Sequence, residues 1–492
     1  DYSLSFDGVD DYVNLGNSLD FNAQDFSYGF WMNTLDSYGM IYQKGTESEN
    51  SGYWIRIENN KISCNFTFRG PDTNIQTNLI SLNDYNDGLW HHIIISVDAD
   101  DLVTLYVDGE IENSVEFLTL DGMQNSNSAH LGMQYHEIGE MQNYFNGKLD
   151  GFTFWDRHFN QDEALMLFNG SVQDEGLASY WKFNTGLGDI LYDHSGNGNH
   201  GIINGANWVE NIYGCTDEFA INYNEEADFD DGGCEYPNNG DYSLSFDGVD
   251  DYVYVDDFNL NENFSIIFKL SMSSLINEQE LISQWENNDT KSWRLYIKDS
   301  HLKWEGYDTT HSEQIFNMDA YINNNQLNNI ILGISKKDEN WSLIADSEVI
   351  STNIEAGSLF NSNDTITIGK RILGSSNYLL GNINEFLVSN SSFDYDDFYD
   401  NAIVHYKFNS GGGDILYDIS GNQNHGTIIG ATWVENIYGC IDEFAINYNE
   451  EADFDDGSCL YNVGDVNYDG DVNIQDIIIM IDYIVEEYPI TD

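Results

Sequence analysis

Two long segments of the chain are repeated, and this repetition constrains the fold more than any other feature. The sequence DYSLSFDGVDDYV occupies residues 1–13 and recurs unchanged at residues 241–253. The sequence DEFAINYNEEADFDDG occupies residues 217–232 and recurs at residues 442–457. This order predicts one structural unit present twice, each copy followed by a cysteine-containing loop, before a short C-terminal tail.

Within each unit, apolar and polar residues alternate with a period of two. Tyr2, Leu4 and Phe6 alternate with serines, and the segment 53–58 alternates in the same way. This alternation is typical of half-buried strands with one face on a core and one in water. Asp-Gly turns separate the strands, as in an antiparallel sandwich. The predicted fold class is therefore all-β, with two β-sandwiches in tandem and a short helix at 162–168.

Six motifs of the first unit, in their order along the chain, resemble the concanavalin A-like, laminin G-like jelly-roll family. The resemblance covers residues 1–210 and, more weakly, residues 241–435, where LIADSE (343–348) replaces LYVDGE and Asn384 replaces Asp150. It implies a jelly-roll sandwich that often holds calcium. The motifs are SFDGVDDYV (5–13), FSYGFWMNT (26–34), GLWHHIIISVD (88–98), LYVDGE (105–110), FNGKLDGFTFWDR (145–157) and YWKFN with DHSGNGNHG (180–201).

These boundaries divide the chain into five predicted parts. They are sandwich 1 (1–210), a disulfide-clipped acidic loop (211–238), sandwich 2 (239–435), a second such loop (436–461) and a calcium loop with a helix (462–492).

Four of the five cysteines form two equally spaced pairs. Cys215 and Cys234 are 19 residues apart, as are Cys440 and Cys459, and each pair brackets the repeated acidic segment. Such pairs predict disulfides and an oxidising, extracellular compartment. Thiolate ligation of a metal is the rival interpretation, although the carboxylates between the cysteines suit a hard cation better than zinc. Cys64 lies on an apolar strand face and is predicted to be a buried thiol.

The charge of the chain excludes several classes of partner. Against 85 Asp and Glu there are only 17 Lys and Arg, a formal charge of −68. No basic surface can form to bind nucleic acid, and an anionic membrane surface is disfavoured. No apolar run is long enough for membrane insertion. The sequence starts at Asp1, so a signal peptide is expected to have been removed or to lie outside it.

The C-terminal tail contains the spacing of a twelve-residue calcium loop. Oxygen-bearing side chains fall at the ligand positions, and Gly470 stands at position 6, where the chain must turn sharply. The segment resembles one repeat of a type I dockerin, in which Asp at position 12 is normal. The predicted ligands are Asp465, Asn467, Asp469, Asp471, Asn473 and Asp476.

A helix with a broad apolar face is predicted to follow this loop. One loop and one helix cannot bury such a face alone. A neighbouring copy or partner protein, a second dockerin half outside this sequence, and packing on the preceding sandwich remain three open alternatives. The residues predicted to form this interface are Ile477, Ile478, Ile481, Ile484 and Val485.

Further acidic turns are candidates for calcium, with solvated acidic surface as the alternative for each. Crowded carboxylates repel one another unless a cation lies among them. The cysteine loops resemble a cysteine-bracketed linker common in large secreted bacterial proteins. The sandwich candidates are Asp7, Asp10, Asp193, Asn197, Asn199, Asp247, Asp418 and Asn422, with Asp11 in the first turn. The loop candidates are Asp217, Asp228, Asp230, Asp231, Asp442, Asp453, Asp455 and Asp456.

Together these patterns predict a non-catalytic, calcium-stabilised surface or matrix protein that acts in adhesion or self-assembly. A calcium-dependent carbohydrate-binding array is the main alternative. A jelly-roll glycoside hydrolase is a remote one, because it needs two carboxylates that face each other across a cleft. The clearest carboxylate cluster, Glu226–Asp231, lies instead in a cysteine loop.

Overall fold

The computed structural model divides into two compact units, which are described separately. Unit 1 comprises Asp1–Thr216 and Asn224–Gly233, and unit 2 comprises Asp217–Tyr223 and Cys234–Asp492. The structure describes all residues except 18–23, 46–50, 70–73, 100, 118–126, 136–140, 257, 259, 261–262, 276, 286–291, 308–313, 323–326, 347, 355–358, 360–364, 372–376, 394–398, 400, 462–463, 465, 468–470 and 488–492.

Unit 1 is a sandwich of two antiparallel sheets. In chain order its elements are β1 (Tyr2–Asp7), β2 (Tyr12–Gly16), β3 (Phe26–Asn33), β4 (Tyr38–Lys44), β5 (Ser51–Glu58), β6 (Lys61–Arg69), β7 (Asn74–Ile80), β8 (Trp90–Val97), β9 (Leu102–Val107), β10 (Glu110–Glu116), β11 (Ala129–Leu131), β12 (Gln134–Tyr135), β13 (Met141–Gln142), β14 (Asn146–Trp155), α1 (Gln161–Phe168), β15 (Leu177–Trp181), β16 (Ile190–Leu191), β17 (Gly201–Asn204) and β18 (Asn207–Glu210). One sheet has the order β10-β9-β8-β3-β14-β1-β18, with β15 also on β14, and the other has the order β16-β17-β2-β11-β4-β5-β6-β7.

Unit 2 repeats this topology. Its elements are β19 (Tyr242–Asp247), β20 (Tyr252–Val255), β21 (Phe264–Met272), β22 (Gln279–Gln284), β23 (Trp293–Lys298), β24 (His301–Tyr307), β25 (Gln314–Tyr321), β26 (Ile330–Lys337), β27 (Asn340–Ala345), β28 (Glu348–Ile354), β29 (Ile366–Ile368), β30 (Leu380–Ser389), β31 (Ala402–Tyr406), β32 (Ile415–Leu416), β33 (Gly426–Ile429), β34 (Thr432–Glu435), β35 (Tyr438–Gly439), β36 (Phe454–Asp455) and α2 (Ile474–Glu487). Its sheets have the orders β28-β27-β26-β21-β30-β19-β34, with β31 on β30, and β25-β24-β23-β22-β29-β20-β33-β32.

The predicted period of two explains both cores. In β5, Tyr53, Ile55 and Ile57 are buried while the intervening side chains are partly exposed. Inward side chains of the two sheets pack face to face, as Tyr42 of β4 does on Phe152 of β14 with ring centroids 5.5 Å apart. Such alternation buries one face of each sheet. The predicted all-β fold of two tandem sandwiches is confirmed.

The helix α1 covers the outer face of one sheet of unit 1. Asn160 caps it, because its side chain accepts the N–H of Glu163 while the Glu163 side chain accepts the N–H of Asn160. Ala164 and Leu167 then pack against a small apolar cluster on that face, which includes Trp155. The prediction of a short helix at 162–168 is thus accurate to one residue.

The cysteines lie as the sequence predicts. Cys440 and Cys459 form a disulfide, and Cys215 and Cys234 are also disulfide-bonded. Cys64 is fully buried, and its burial raises the pKa of the thiol well above the usual range.

A thiol-labelling experiment tests the state of Cys64. Because the nucleophile is the thiolate, a buried thiol of raised pKa is expected to react only after unfolding. Ellman's reagent should label no thiol in the native protein and one per chain in guanidinium chloride without reductant. Rapid labelling of the native chain, or more than one thiol after unfolding, would contradict this assignment.

Candidate functional site

Each sandwich has a carboxylate cluster at a corner where the chain passes from one sheet to the other. In unit 1 the turn between β1 and β2 carries Asp7, Asp10 and Asp11, with one oxygen of each within 4.8 Å of the others. Because β1 and β2 belong to different sheets, this turn joins the two layers. Asp247, Asp250 and Asp251 form the same cluster between β19 and β20.

Hydrogen bonds and close packing hold these carboxylates together. Asp11 Oδ2 accepts the N–H of Asp7 at 2.9 Å, and Asp7 Oδ1 accepts the N–H of Val9 at 2.8 Å. Any side chain at Gly205 would collide with Asp11 Oδ1. Gly205 lies in the turn between β17 and β18, which also crosses between the sheets. The two turns that connect the sheets, β1–β2 and β17–β18, therefore meet at Asp11.

The electrostatics of the corner are unfavourable without a cation. Asp11 is buried, and this burial, together with the charges of Asp7 and Asp10, raises the pKa of the Asp11 carboxyl. The same causes raise the pKa of Asp251 in unit 2. Asp and Asn oxygens are the ligands that calcium prefers, so three carboxylates within reach of one point fit such an ion.

The turn around Asp193 has a different architecture. Asp193 Oδ1 accepts the N–H groups of Tyr180 and Ser195 at 2.9 Å, and Oδ2 accepts the Ser195 hydroxyl and the Asn199 N–H. Burial acts to raise the pKa of Asp193, but these donors outweigh it and lower the pKa. The carboxylate is thus saturated by the protein and organises its own loop.

The neighbouring amides of this turn are also engaged. The side-chain amides of Asn197 and Asn199 donate to the Ala178 carbonyl at 3.0 and 3.2 Å. Asp418 and Asn422 repeat this arrangement in unit 2, where Asp418 accepts from the backbone of His405 and Asn424.

The first cysteine loop, residues 211–238, is held partly by unit 1. Asp228 accepts hydrogen bonds from Lys148 Nζ at 2.6 Å and from the Trp90 indole at 3.2 Å. Phe229 stacks on Trp90 with ring centroids 4.9 Å apart and meets Trp31 edge-on at 5.5 Å. This half of the loop is therefore anchored on the outer face of the sandwich.

The identical residues of the second cysteine loop, 436–461, keep the contacts within the loop but meet a different sandwich surface. Asp453 accepts the N–H of Ile437 and Phe454 stacks on Tyr438, as Asp228 and Phe229 do with Ile212 and Tyr213 in the first loop. The register of the strands places Lys269, Asn329 and Asn382 where unit 1 has Trp31, Trp90 and Lys148.

Hydrogen bonds within the loops engage the remaining predicted loop acids. Asp230 and Asp231 accept the N–H groups of Gly232 and Gly233, and Asp455 and Asp456 do the same in the second loop. Among the described residues, these acids do not gather into a group of three around one point.

The other end of each loop forms a small surface that we call the loop tip. In the first loop it consists of Asp217, Phe219 and Tyr236, and the Tyr236 hydroxyl donates to Asp217 Oδ2. In the second loop it consists of Asp442, Phe444 and Tyr461, where Tyr461 donates to Asp442 at 2.6 Å.

The C-terminal loop is only partly described. Asp465 and Asp469 lie outside the described residues, while Asp476 is buried and accepts the N–H groups of Val466 and Asn473 at 2.8 and 2.7 Å. Asn467 donates its N–H to Asp476 as well, Asp471 is exposed, and Asn473 caps α2 through the N–H of Gln475. Asp476 thus draws both ends of the loop together.

The apolar residues at the start of α2 are exposed. Ile477 is 54% exposed, Ile478 52% and Ile481 52%. The side chains of Ile484 and Val485 lie outside the described residues. No helix in the described part of the chain combines the length and apolar character needed to cross a membrane.

The sequence interpretation missed two charged clusters. Asp25, Asp98 and His158 come together in unit 1. In unit 2, Arg294 contacts Glu278, Glu280 and Glu305. The first cluster joins residues far apart in sequence, and the second joins neighbouring strands β22, β23 and β24. No local motif marks either cluster.

Two jelly-roll sandwiches in tandem define a concanavalin A-like, lectin-type fold. The chain belongs to the concanavalin A-like lectin/glucanases superfamily, whose laminin G-type family model matches residues 7–164 and 247–397.

Two curated relatives come from Paraclostridium bifermentans. Paraclostridial mosquitocidal protein 1 is 26% identical over 183 residues, which is 34% of this chain and 14% of the relative. The non-toxic nonhemagglutinin is 24% identical over 166 residues, which is 32% of this chain and 13% of the relative. The chain thus matches about a seventh of the length of these proteins.

Solved structures of low sequence identity also match. Domains LG4-5 of the mouse laminin alpha1 chain are 13% identical with a TM-score of 0.28, over 80% of this chain and 91% of that chain. A putative carbohydrate binding protein from Bacteroides ovatus is 20% identical with a TM-score of 0.34, over 42% and 59%. At these values the structures do not bear on ligand or partner.

Proposed function

We propose that this chain is a non-catalytic, calcium-stabilised part of an extracellular surface or matrix protein that acts in adhesion or self-assembly. The observation that carries the proposal is the carboxylate corner, which both sandwiches build with the same residues and hydrogen bonds. The disulfides support an oxidising, extracellular location.

A calcium ion at each corner would have a structural effect. Asp7 ends a strand of one sheet, and Asp11 precedes a strand of the other. An ion bound to both would join the two layers and remove the repulsion between the carboxylates. A rigid, calcium-dependent sandwich suits a protein that bears load or spaces neighbours outside the cell.

The C-terminal segment supports calcium binding and contact with a partner. Asp476 accepts backbone N–H groups from both ends of the loop and so holds the loop closed. The six ligands proposed from the calcium-loop spacing of the sequence are kept in this proposal. Ile477, Ile478 and Ile481 form an exposed apolar surface that suits docking to a neighbouring copy or surface protein.

The carboxylates of unit 2 favour a structural role over catalysis. Burial raises the pKa of Glu280, whereas the pKa of Glu305 is lowered, since the Arg294 hydrogen bond and charge outweigh burial. A glycosidase needs such a pair on either side of a substrate. Here Arg294 contacts both groups, at 3.4 Å from Glu280 and 2.7 Å from Glu305, and links them in an ion-pair network.

Calcium titration with corner variants tests the proposal. Calcium at about 100 times its Kd is expected to stabilise each sandwich by about 2.7 kcal/mol, or roughly 5–10 °C in Tm. The variant with Asp11→Asn and Asp251→Asn should lose most of this gain, because two carboxylates cannot replace three. Calorimetric unfolding with calcium and with a chelator measures both values.

A matched exposed acid provides the control for this experiment. Asp174→Asn should keep the full calcium response, since Asp174 is exposed and lies outside the corner clusters. Equal calcium stabilisation in the corner variant and the wild type would rule out the corners as the sites.

Carbohydrate binding is the second candidate, and an aromatic row on unit 1 favours it. The Arg56 guanidinium lies 4.3 Å from the Trp54 ring centroid and 5.5 Å from that of Tyr38. Trp54 pairs across the sheet with Asn65, whose amide donates to Asn78. Aromatic faces and amides of this kind bind sugar rings and hydroxyls.

A glycan array separates this candidate from the first. Saccharide binding that Trp54→Ala abolishes, by a chain that stays monomeric in calcium, would favour the carbohydrate-binding function. No saccharide binding together with calcium-dependent assembly would favour the assembly function.

A further inference from the structure

The second sandwich binds the first loop tip at a surface that we call the socket. In unit 2 the socket consists of Tyr417 and His425. His425 Nε2 lies 2.6 Å from Asp217 Oδ2. Phe219 meets the His425 ring edge-on at 5.2 Å, and Tyr236 stacks on Tyr417 at 5.5 Å. The three residues of the loop tip thus cover the two residues of the socket.

A backbone hydrogen bond fixes the orientation and the tautomer of the His425 ring for this contact. Its Nδ1 accepts the N–H of Asp418 at 2.9 Å, so in the neutral ring the proton lies on Nε2, which faces Asp217. Burial acts to raise the pKa of Asp217, but hydrogen bonds from Tyr236, the Phe219 N–H and His425 outweigh it and lower the pKa. The contact is therefore a charge-assisted hydrogen bond inside an aromatic enclosure.

Unit 1 has the same socket, and there it is exposed. Tyr192 and His200 meet edge-on at 5.6 Å, and His200 Nδ1 accepts the N–H of Asp193 at 3.0 Å. In the neutral His200 ring the proton therefore lies on Nε2, as it does in His425. Tyr192 is 44% exposed and His200 is exposed, whereas the His425 side chain is only 8% exposed.

The second loop carries a second, preformed loop tip. Asp442 accepts the Tyr461 hydroxyl and the N–H of Phe444, as Asp217 accepts those of Tyr236 and Phe219. Phe444 is 57% exposed and Tyr461 47%, while Asp442 is half-buried instead of buried. The chain therefore has one loop tip and one socket in contact, and an exposed copy of each.

From this we propose that the second loop tip of one chain binds the socket of unit 1 in another copy of the same chain, head to tail. The occupant is a second copy because the same residues already form this contact within unit 2. Since loop tip and socket lie on different units, the contact is heterologous and continues from chain to chain. The inference rests on the assembly part of the proposed function and names its surface.

The contact between two chains is expected to be weaker than the same contact within one chain. The first loop tip is joined to its socket by a short covalent connection, which gives an effective concentration on the order of millimolar. Separate chains lack this advantage. Oligomers are therefore expected to grow with protein concentration and to be favoured where many chains share one surface.

A complementation experiment tests this contact in the full chain with calcium present. The socket variant carries Tyr192→Ser and His200→Asn, because an Asn oxygen can still accept the Asp193 N–H. The loop-tip variant carries Phe444→Ser and Tyr461→Ser. By sedimentation velocity, wild type should form oligomers, and each variant alone should associate about tenfold or more weakly.

An equimolar mixture of the two variants gives the decisive result. Each variant retains one intact surface, so the mixture should form a dimer and nothing larger. A dimer also shows that both variants are folded. As a matched control, Tyr448→Ser should oligomerise as wild type does, because Tyr448 is 47% exposed, the same value as its counterpart Tyr223 in the first loop.

The other outcomes separate this inference from the proposed function. If wild type and both variants oligomerise equally, this contact is wrong and the assembly function stands on another surface. If wild type stays monomeric at all concentrations with calcium bound, both the contact and the assembly function fail. A mixture that remains monomeric while wild type oligomerises also overturns the contact.

Discussion

Replacing Asp150 by asparagine is expected to stabilise the first sandwich at pH 8 by up to about 4 kcal/mol. Asp150 is 8% exposed; its Oδ1 accepts the Gly151 N–H at 2.7 Å and its Oδ2 the Asn211 amide at 3.0 Å. Burial outweighs these two donors and raises the pKa of Asp150 to about 7. Ionisation of Asp150 therefore lowers the free energy of unfolding of the protein.

The sign of the pH dependence follows from this raised pKa. The unfolded chain ionises Asp150 near the ordinary pKa, so the folded state binds the extra proton between about pH 4 and pH 7. The contribution of this bound proton to the free energy of unfolding is fully present below pH 4 and is lost as the pH rises through 7. The benefit of Asp150→Asn should therefore be near zero at pH 4 and largest at pH 8.

The second sandwich provides the reciprocal control. Asn384 stands at the equivalent position, between the same strand neighbours. Asn384→Asp should destabilise unit 2 at pH 8 and leave it nearly unchanged at pH 4. Denaturant unfolding across this pH range measures both variants. A pH-independent effect of Asp150→Asn would show that its carboxyl is not the group that titrates.

Removing the disulfide of the second loop is expected to unfold the loop tip. In the chain-entropy model, closing a loop with a separation of 19 residues contributes about 3 kcal/mol. The loop has little apolar interior of its own besides Cys440, Ala445 and Phe454. Cys440→Ser combined with Cys459→Ser should therefore leave this loop unfolded and the sandwiches intact.

Hydrogen exchange measures this loss residue by residue. The N–H of Ile446 donates to the Leu460 carbonyl, and the N–H of Asn449 donates to that of Cys440. Both amides should exchange about 100-fold faster in the variant. The equivalent N–H of Ile221 in the first loop should keep its protection and serves as the internal control. Unchanged protection of Ile446 would show that the loop does not depend on its disulfide.

Local patterns in the sequence were sufficient to predict the architecture. Period-two alternation identifies strands because it buries one face, and β5 shows the predicted alternation residue by residue. The helix at 161–168 has a capping signal within its own sequence. The carboxylate corner was also readable, because Asp7, Asp10 and Asp11 lie in one turn.

What the sequence did not reveal depends on residues distant along the chain. The two cysteine loops share sixteen consecutive residues, yet Asp228 is anchored by Trp90 and Lys148, whereas unit 2 has Asn329 and Asn382 at the equivalent strand positions. Likewise, no local pattern marks the contact between Asp217 and His425, which are 208 residues apart. Such contacts are set by tertiary packing, which periodicity does not encode.

The repeated loop tip and socket make the number of sandwiches easy to change. Both recur with the same offset, from Tyr192 to Tyr417 and from Asp217 to Asp442. A tandem duplication of residues 217–441 would place Asp217 after Ile441, where an aspartate already follows. Each added period would bring one socket and one loop tip of the existing kind. Gene duplication, or an engineer, could thus lengthen the chain without evolving a new junction.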